Sequence, residues 1–159
     1  MTHDSDLDRA CRRLDELAAL PATAPSRQEV LEALGSKWEG VQVHAGRALA
    51  AWGGRESIDR LREWLDRSLD KAAGRSVRGE AVRCLRRACD SSDAPWLLDY
   101  FFSAASPAER HEFFPFFDLT PLNVLRERIA VESQSSQQSR RDAARVATRR
   151  LREREAGRD

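Results

Sequence analysis

The sequence predicts an all-α chain, folded as a single domain of stacked helical hairpins. Three observations predict it. No period-2 run of β-branched residues occurs, so no strand is expected. Helix start and stop signals recur along all 159 residues. A nine-residue pattern beginning at Val41 returns at Val77, 36 residues on. Composition bounds the rest. With 41% hydrophobic and 33% charged residues the chain can bury a core, which excludes a disordered polyelectrolyte. Its 27 basic and 26 acidic side chains nearly cancel to +1, unlike the strongly basic charge of a general polyanion binder. No run approaches the roughly 18 apolar residues of a membrane span. The acidic start carries no hydrophobic segment of the secretory kind, and Cys11, Cys84 and Cys89 form no C-x-x-C. Reduced thiols and a cytoplasmic location are therefore expected. Arginine occurs 25 times and lysine twice, the bias of a GC-rich genome, which points to a bacterial source.

Nine helices follow in order, near 5–20, 26–35, 41–52, 55–70, 76–89, 93–103, 107–117, 121–133 and 137–155. Pro21 ends the first, and Ser26-Arg27-Gln28-Glu29 has the form of a capping box for the second. Gly35, the pair Gly53-Gly54, and Gly74 mark later stops. In the fourth helix Ile58, Leu61, Leu65 and Leu69 fall on one stripe. Ser106-Pro107-Ala108-Glu109 combines a cap with proline at the first helical position. Thr120-Pro121 repeats that start, and Leu122, Leu125 and Ile129 form the next apolar stripe. Ser135-Ser136-Gln137-Gln138 opens the last helix. The short connections predict antiparallel neighbours.

The repeat aligns Val41-Gln42-Val43-His44-Ala45-Gly46-Arg47-Ala48-Leu49 with Val77-Arg78-Gly79-Glu80-Ala81-Val82-Arg83-Cys84-Leu85. A looser copy starts at Ser139, and a degenerate, phenylalanine-rich one at Ala108. This Val-Arg-x-x-Ala-x-x-x-Leu run, between a short helix and a glycine-led one, resembles HEAT repeats of the short bacterial kind found in phycobilin-lyase-like proteins. The resemblance is fullest over residues 26–90. It implies a right-handed α-solenoid of about four HEAT-like hairpins, with second helices lining a concave face used for binding. The expected parts are an N-terminal cap helix at 5–25, hairpins at 26–53, 54–90, 92–118 and 120–155, and a tail at 156–159.

Catalytic and metal chemistry find little support. Cys84 and Cys89 are five apart, roughly 140° around a helix, a poor geometry for one metal. The His111-Glu112 pair resembles one element of the di-iron site in HEAT-repeat deoxyhypusine hydroxylases. The equivalent positions here read His44-Ala45, Glu80-Ala81 and Asp142-Ala143, so that site is incomplete. No Gly-x-Ser-x-Gly elbow or glycine-rich phosphate loop is present. Trp38, Trp52, Trp64 and Trp96, with Asp59 or Asp66, could be compared with a HEAT-like DNA glycosylase. They share no register and are expected to pack hairpins. No catalytic residue, metal or cofactor is therefore assigned.

Binding is the better-supported expectation. Counting from the first Val of each repeat, positions 1, 5, 9 and 12 point to the core and positions 4, 7 and 11 occupy a neighbouring sector. Position 4 holds His44, Glu80, His111 and Asp142; position 7 holds Arg47, Arg83, Phe114 and Arg145; position 11 includes Arg87 and Arg149. Five arginines are thus expected on one face, whose planar forks suit carboxylate or phosphate. All six phenylalanines lie between Phe101 and Phe117, most of them expected in the core, with an excess that could form a docking patch. Charge alternates by segment: −3 over 1–36, +4 over 37–92, −4 over 93–138 and +4 over 139–159. The expected function is a non-enzymatic protein-binding adaptor for an acidic partner segment, acting through Arg47, Arg83, Arg87, Arg145, Arg149, His44, His111 and Phe114. The alternatives are nucleic-acid binding through the arginine stripe and the basic last helix, and a lyase-like chaperone with a small molecule in its groove.

Overall fold

A computed structural model describes residues 3–69 and 75–157. They form nine α-helices and one short 3-10 helix, with no strand among them. The chain divides into two compact units, one on each side of the junction between Ala88 and Cys89. The expected stop at Gly74 and the end of the tail at 158–159 lie outside the described residues.

The first unit contains α1 (His3–Ala18), α2 (Ala24–Leu34), α3 (Glu39–Trp52), α4 (Gly54–Leu69) and α5 (Arg75–Ala88). Helix α3 is its centre: α1 and α5 pack against it, and so do α2 and α4. The repeat register explains this. Val41, Ala45 and Leu49 on α3 and Val77, Ala81 and Leu85 on α5 are all buried, as positions 1, 5 and 9 predict. Ile58, Leu61 and Leu65 of the α4 stripe are buried as well, whereas Leu69 at its end is exposed. One substitution-sensitive contact sets the α3–α4 spacing. A Cβ on Gly46 would stand 2.4 Å from Cζ3 of Trp64, so only glycine lets the indole lie against the α3 backbone. The helices are joined by Gly53 (φ +65°) and Gly54 (φ +83°), left-handed values that glycine adopts without steric cost.

The start of α2 differs from the expectation. Ser26 does not cap the helix; it sits three residues inside it. Thr23 is the cap, and its Oγ1 accepts from the Ser26 amide at 3.2 Å while Ser26 Oγ accepts from the Thr23 amide at 2.8 Å. Pro25 explains the shift, because proline is favoured in the first turn, where its missing N–H has no intrahelical role.

The second unit contains α6 (Ala94–Ser103), a 3-10 helix (Arg110–Phe113), α7 (Phe114–Leu119), α8 (Leu122–Ser133) and α9 (Gln138–Ala156). Its core is aromatic. Phe101 packs edge-on against Phe102, Phe113 and Phe117, with ring centroids 4.9, 6.0 and 5.0 Å away. Phe101, Phe102, Phe113, Phe116 and Phe117 are all buried, so the expected excess of exposed rings reduces to half-buried Phe114. The uninterrupted helix expected over 107–117 is also corrected. Residues 107–109 are turn, followed by the 3-10 helix and then α7. Pro115 is the cause: it has no amide for His111 to receive, and its ring would collide with that carbonyl. The chain resolves this by placing Pro115 in the first turn of a new helix. Thr120 does not cap α8; its hydroxyl donates back to Phe116 O at 2.9 Å. Helices α8 and α9 are tied by buried Glu132, which accepts from Arg128 at 2.9 Å and Arg140 at 3.1 Å.

Candidate functional site

In the first unit the position-7 arginines of α3 and α5 meet at one carboxylate. Arg47 Nε donates to Glu80 Oε1 at 2.7 Å, and Arg83 donates to Glu80 Oε2 at 2.9–3.0 Å. Because residues three apart lie on the same face of a helix, Glu80 and Arg83 share a surface of α5, and the parallel register delivers Arg47 to it. The acid is nearly covered (12% side-chain exposure), while both arginines remain about half exposed (48% and 46%). Burial alone would raise the Glu80 carboxyl. The hydrogen bonds and charges of Arg47 and Arg83 outweigh it and hold the group below the usual carboxylate range. Arg87, one turn beyond Arg83, is exposed and has no ion-pair partner among the described residues. His44 Nδ1 lies 2.6 Å from Asp15 Oδ1 of α1, which anchors it to the neighbouring helix.

In the second unit Phe114, Arg145 and Arg149 line one cleft of about 160 Å³, together with Val146, Arg150 and Glu153. Positions 7 and 11 of the α9 repeat are therefore brought together, as is the position-7 residue of the degenerate copy. The Arg150 guanidinium stands over the Phe114 ring, 5.7 Å from its centroid. Arg145 pairs with Asp142 at 3.1 Å, and Arg150 pairs with Asp118 and Glu153, each at 3.4 Å. Arg149 is exposed and has no ion-pair partner among the described residues. Small-molecule pockets occupy roughly 300–1,000 Å³. This cleft is below that range.

His111 does not join the cleft's lining. It belongs to the 3-10 helix, is 67% exposed, and pairs with its neighbour Glu112 at 3.3 Å. The α-helical register that placed it at position 4 does not hold there, because 3-10 geometry advances faster around its axis.

Cys84 is buried on α5, and burial, with a smaller contribution from Glu80, pushes its thiol up to about 12. At neutral pH it is a small hydrophobic residue rather than a nucleophile. No cluster of three or more His, Cys, Asp or Glu with metal-binding geometry occurs among the described residues. No described helix is long and apolar enough to cross a membrane.

A second feature has no counterpart in the arginine pattern. A cavity of about 470 Å³ opens in the first unit where the α2–α3 connection meets α4 and α5. Its lining comes from three separate stretches of chain, 34–42, 64–68 and Val77, so no single local spacing in the sequence marks it. The nearest signal is the pairing of Trp64 with Gly46, a large ring opposite a residue without a side chain.

The chain matches no protein-family model, no curated protein and no solved structure.

Proposed function

We propose that the chain is a HEAT-like α-solenoid adaptor, non-enzymatic, that binds an acidic segment of a partner protein through its second-helix faces. The observation that carries this reading is the Phe114 cleft. It combines an aromatic wall, a guanidinium held over that wall, and a further arginine with no ion-pair partner among the described residues, in a volume suited to one side chain. Aromatic and arginine anchors of this kind dominate binding energy at protein interfaces. The cluster in the first unit supports the same polarity of ligand. Arg83 and Arg87 are like charges one turn apart, as are Arg145 and Arg149, an arrangement that costs a helix a few tenths of a kcal/mol per pair. An incoming carboxylate turns that cost into attraction.

The test is affinity capture from nuclease-treated lysate of the source cells, comparing the wild type with Arg145→Glu/Arg149→Glu. Both substituted residues are exposed, so the helix content seen by circular dichroism should not change. A protein held by the wild type and lost by the variant is the expected result. Capture that ignores the substitutions would overturn the assignment of this cleft. Capture seen from untreated lysate but absent from the nuclease-treated one would favour nucleic-acid binding by the basic α9 instead.

A further inference from the structure

The 470 Å³ cavity of the first unit lies within the roughly 300–1,000 Å³ range of small-molecule sites, and the adaptor reading makes no use of it. One wall is apolar, built from Leu34, Trp64 and Val77. Lys37 and Arg67 supply two cations against one anion, Glu39. The polar groups that position the wall are already engaged with one another. Trp64 Nε1 donates to Gln42 Oε1 at 3.0 Å, and the Gln42 amide donates in turn to the Ser36 carbonyl. Ser68 Oγ donates to Leu65 O at 2.6 Å, and Glu39 accepts from Ser76 Oγ at 3.4 Å. The indole is therefore fixed in orientation, packed against Gly46, with only a small edge (2% exposure) reaching the cavity. Arg67 is exposed and has no ion-pair partner among the described residues, and the Lys37 ammonium stands 5.1 Å from the centroid of the Trp38 ring. Trp38, next to Lys37, is 40% exposed, and Leu69, next to Ser68, is 38% exposed.

We propose that this cavity binds a small organic anion with a flat apolar body, the ring system against Trp64, Leu34 and Val77 and the anionic group between Lys37 and Arg67. The size disfavours a bare inorganic anion as the preferred ligand, since such an ion would fill little of the 470 Å³. The excess of cations disfavours a neutral or cationic ligand of the same shape. The site is independent of the Phe114 cleft, so either assignment can fail alone.

The probe is 8-anilinonaphthalene-1-sulfonate, which carries fused rings and one sulfonate. It is titrated into the full chain, with its own fluorescence as one readout and the Trp64 indole N–H resonance as the other. Saturable binding of one equivalent is expected, with a shifted Trp64 resonance. Lys37→Glu/Arg67→Glu should weaken it at least tenfold, whereas Arg149→Glu should leave it unchanged. A neutral naphthalene derivative of similar size should bind at least tenfold more weakly. Absence of saturable binding by the wild type would overturn the proposal. So would binding that the Lys37→Glu/Arg67→Glu variant retains, or binding that leaves the Trp64 resonance unmoved. The indole readout keeps the test decisive should that variant fail to fold.

Discussion

Two residues carry more of the structure than their size suggests, and both can be tested individually. Gly46 is the point where α3 lets Trp64 in. A methyl group there would overlap the indole, whose 2% exposure leaves it little room to retreat. Gly46→Ala should destabilise the fold by about 1–3 kcal/mol, the usual cost of overpacking, despite alanine's higher helix propensity. Urea unfolding checks this; a neutral or stabilising result would mean that the ring relocates. Glu80 acts electrostatically. Its folded-state pKa lies below the unfolded value, so its stabilisation is present above the unfolded carboxyl range, about pH 4.3. It is lost as the pH falls through the lower, folded value. The stability gap between wild type and Glu80→Gln should therefore be widest near neutral pH and close below about pH 4. Because Arg47 and Arg83 are about half exposed, the gap should be modest even at its widest.

Among the helices, success and failure of sequence interpretation have physical causes. The core stripes of α3, α4 and α5 were readable because apolar residues recur at helical spacing and nothing interrupts them. The region from Ser106 to Leu119 was not, because its apolar run, Phe113 to Phe117, is continuous and so carries no period. There the decisive fact was Pro115, whose covalent geometry overrides a good start signal at Ser106-Pro107. The shift of the α2 cap from Ser26 to Thr23 has the same origin, with two possible caps separated by the placement of Pro25. The arginine pattern was readable only where its helices are regular. Arg47 and Arg83 meet at Glu80, and Arg145 and Arg149 meet in the Phe114 cleft, but His111 is carried off by a 3-10 turn. At this scale Glu132 is the sensitive tie, since it accepts from arginines on both α8 and α9. Breaking a fully buried ion pair costs about 3–5 kcal/mol. Arg128 and Arg140 each keep about 30% exposure and can turn toward water. Glu132→Ala should then cost about 2 kcal/mol by urea unfolding, below the fully buried range.

For the molecule as a whole, near-neutral net charge conceals local polarity. The arginine clusters are each balanced in part by acids from the same unit: Glu80 and Asp15 in one, Asp142, Asp118 and Glu153 in the other. That partial balance predicts how binding should respond to salt. An acidic protein segment engaging one or two arginines would weaken only moderately between 50 and 200 mM salt. A nucleic acid engaging six to ten cations would lose roughly 10³–10⁵ in affinity over the same interval. The slope of affinity against salt thus separates the two macromolecular readings without knowledge of the partner. The 470 Å³ cavity was invisible at the sequence level for a different reason. It is a property of how three separate stretches of chain meet, and its lining residues are unremarkable at their own positions.

The proposed selection of acidic protein segments by the Phe114 cleft can be tested without a known partner. The most direct measurement is a selection of random displayed peptides on the immobilised wild-type protein, repeated on Arg145→Glu/Arg149→Glu. Clones enriched on the wild type should carry an excess of Asp and Glu, and the variant should retain none of them. Enrichment without acidic bias, or the same clones recovered equally on both proteins, would contradict the proposal.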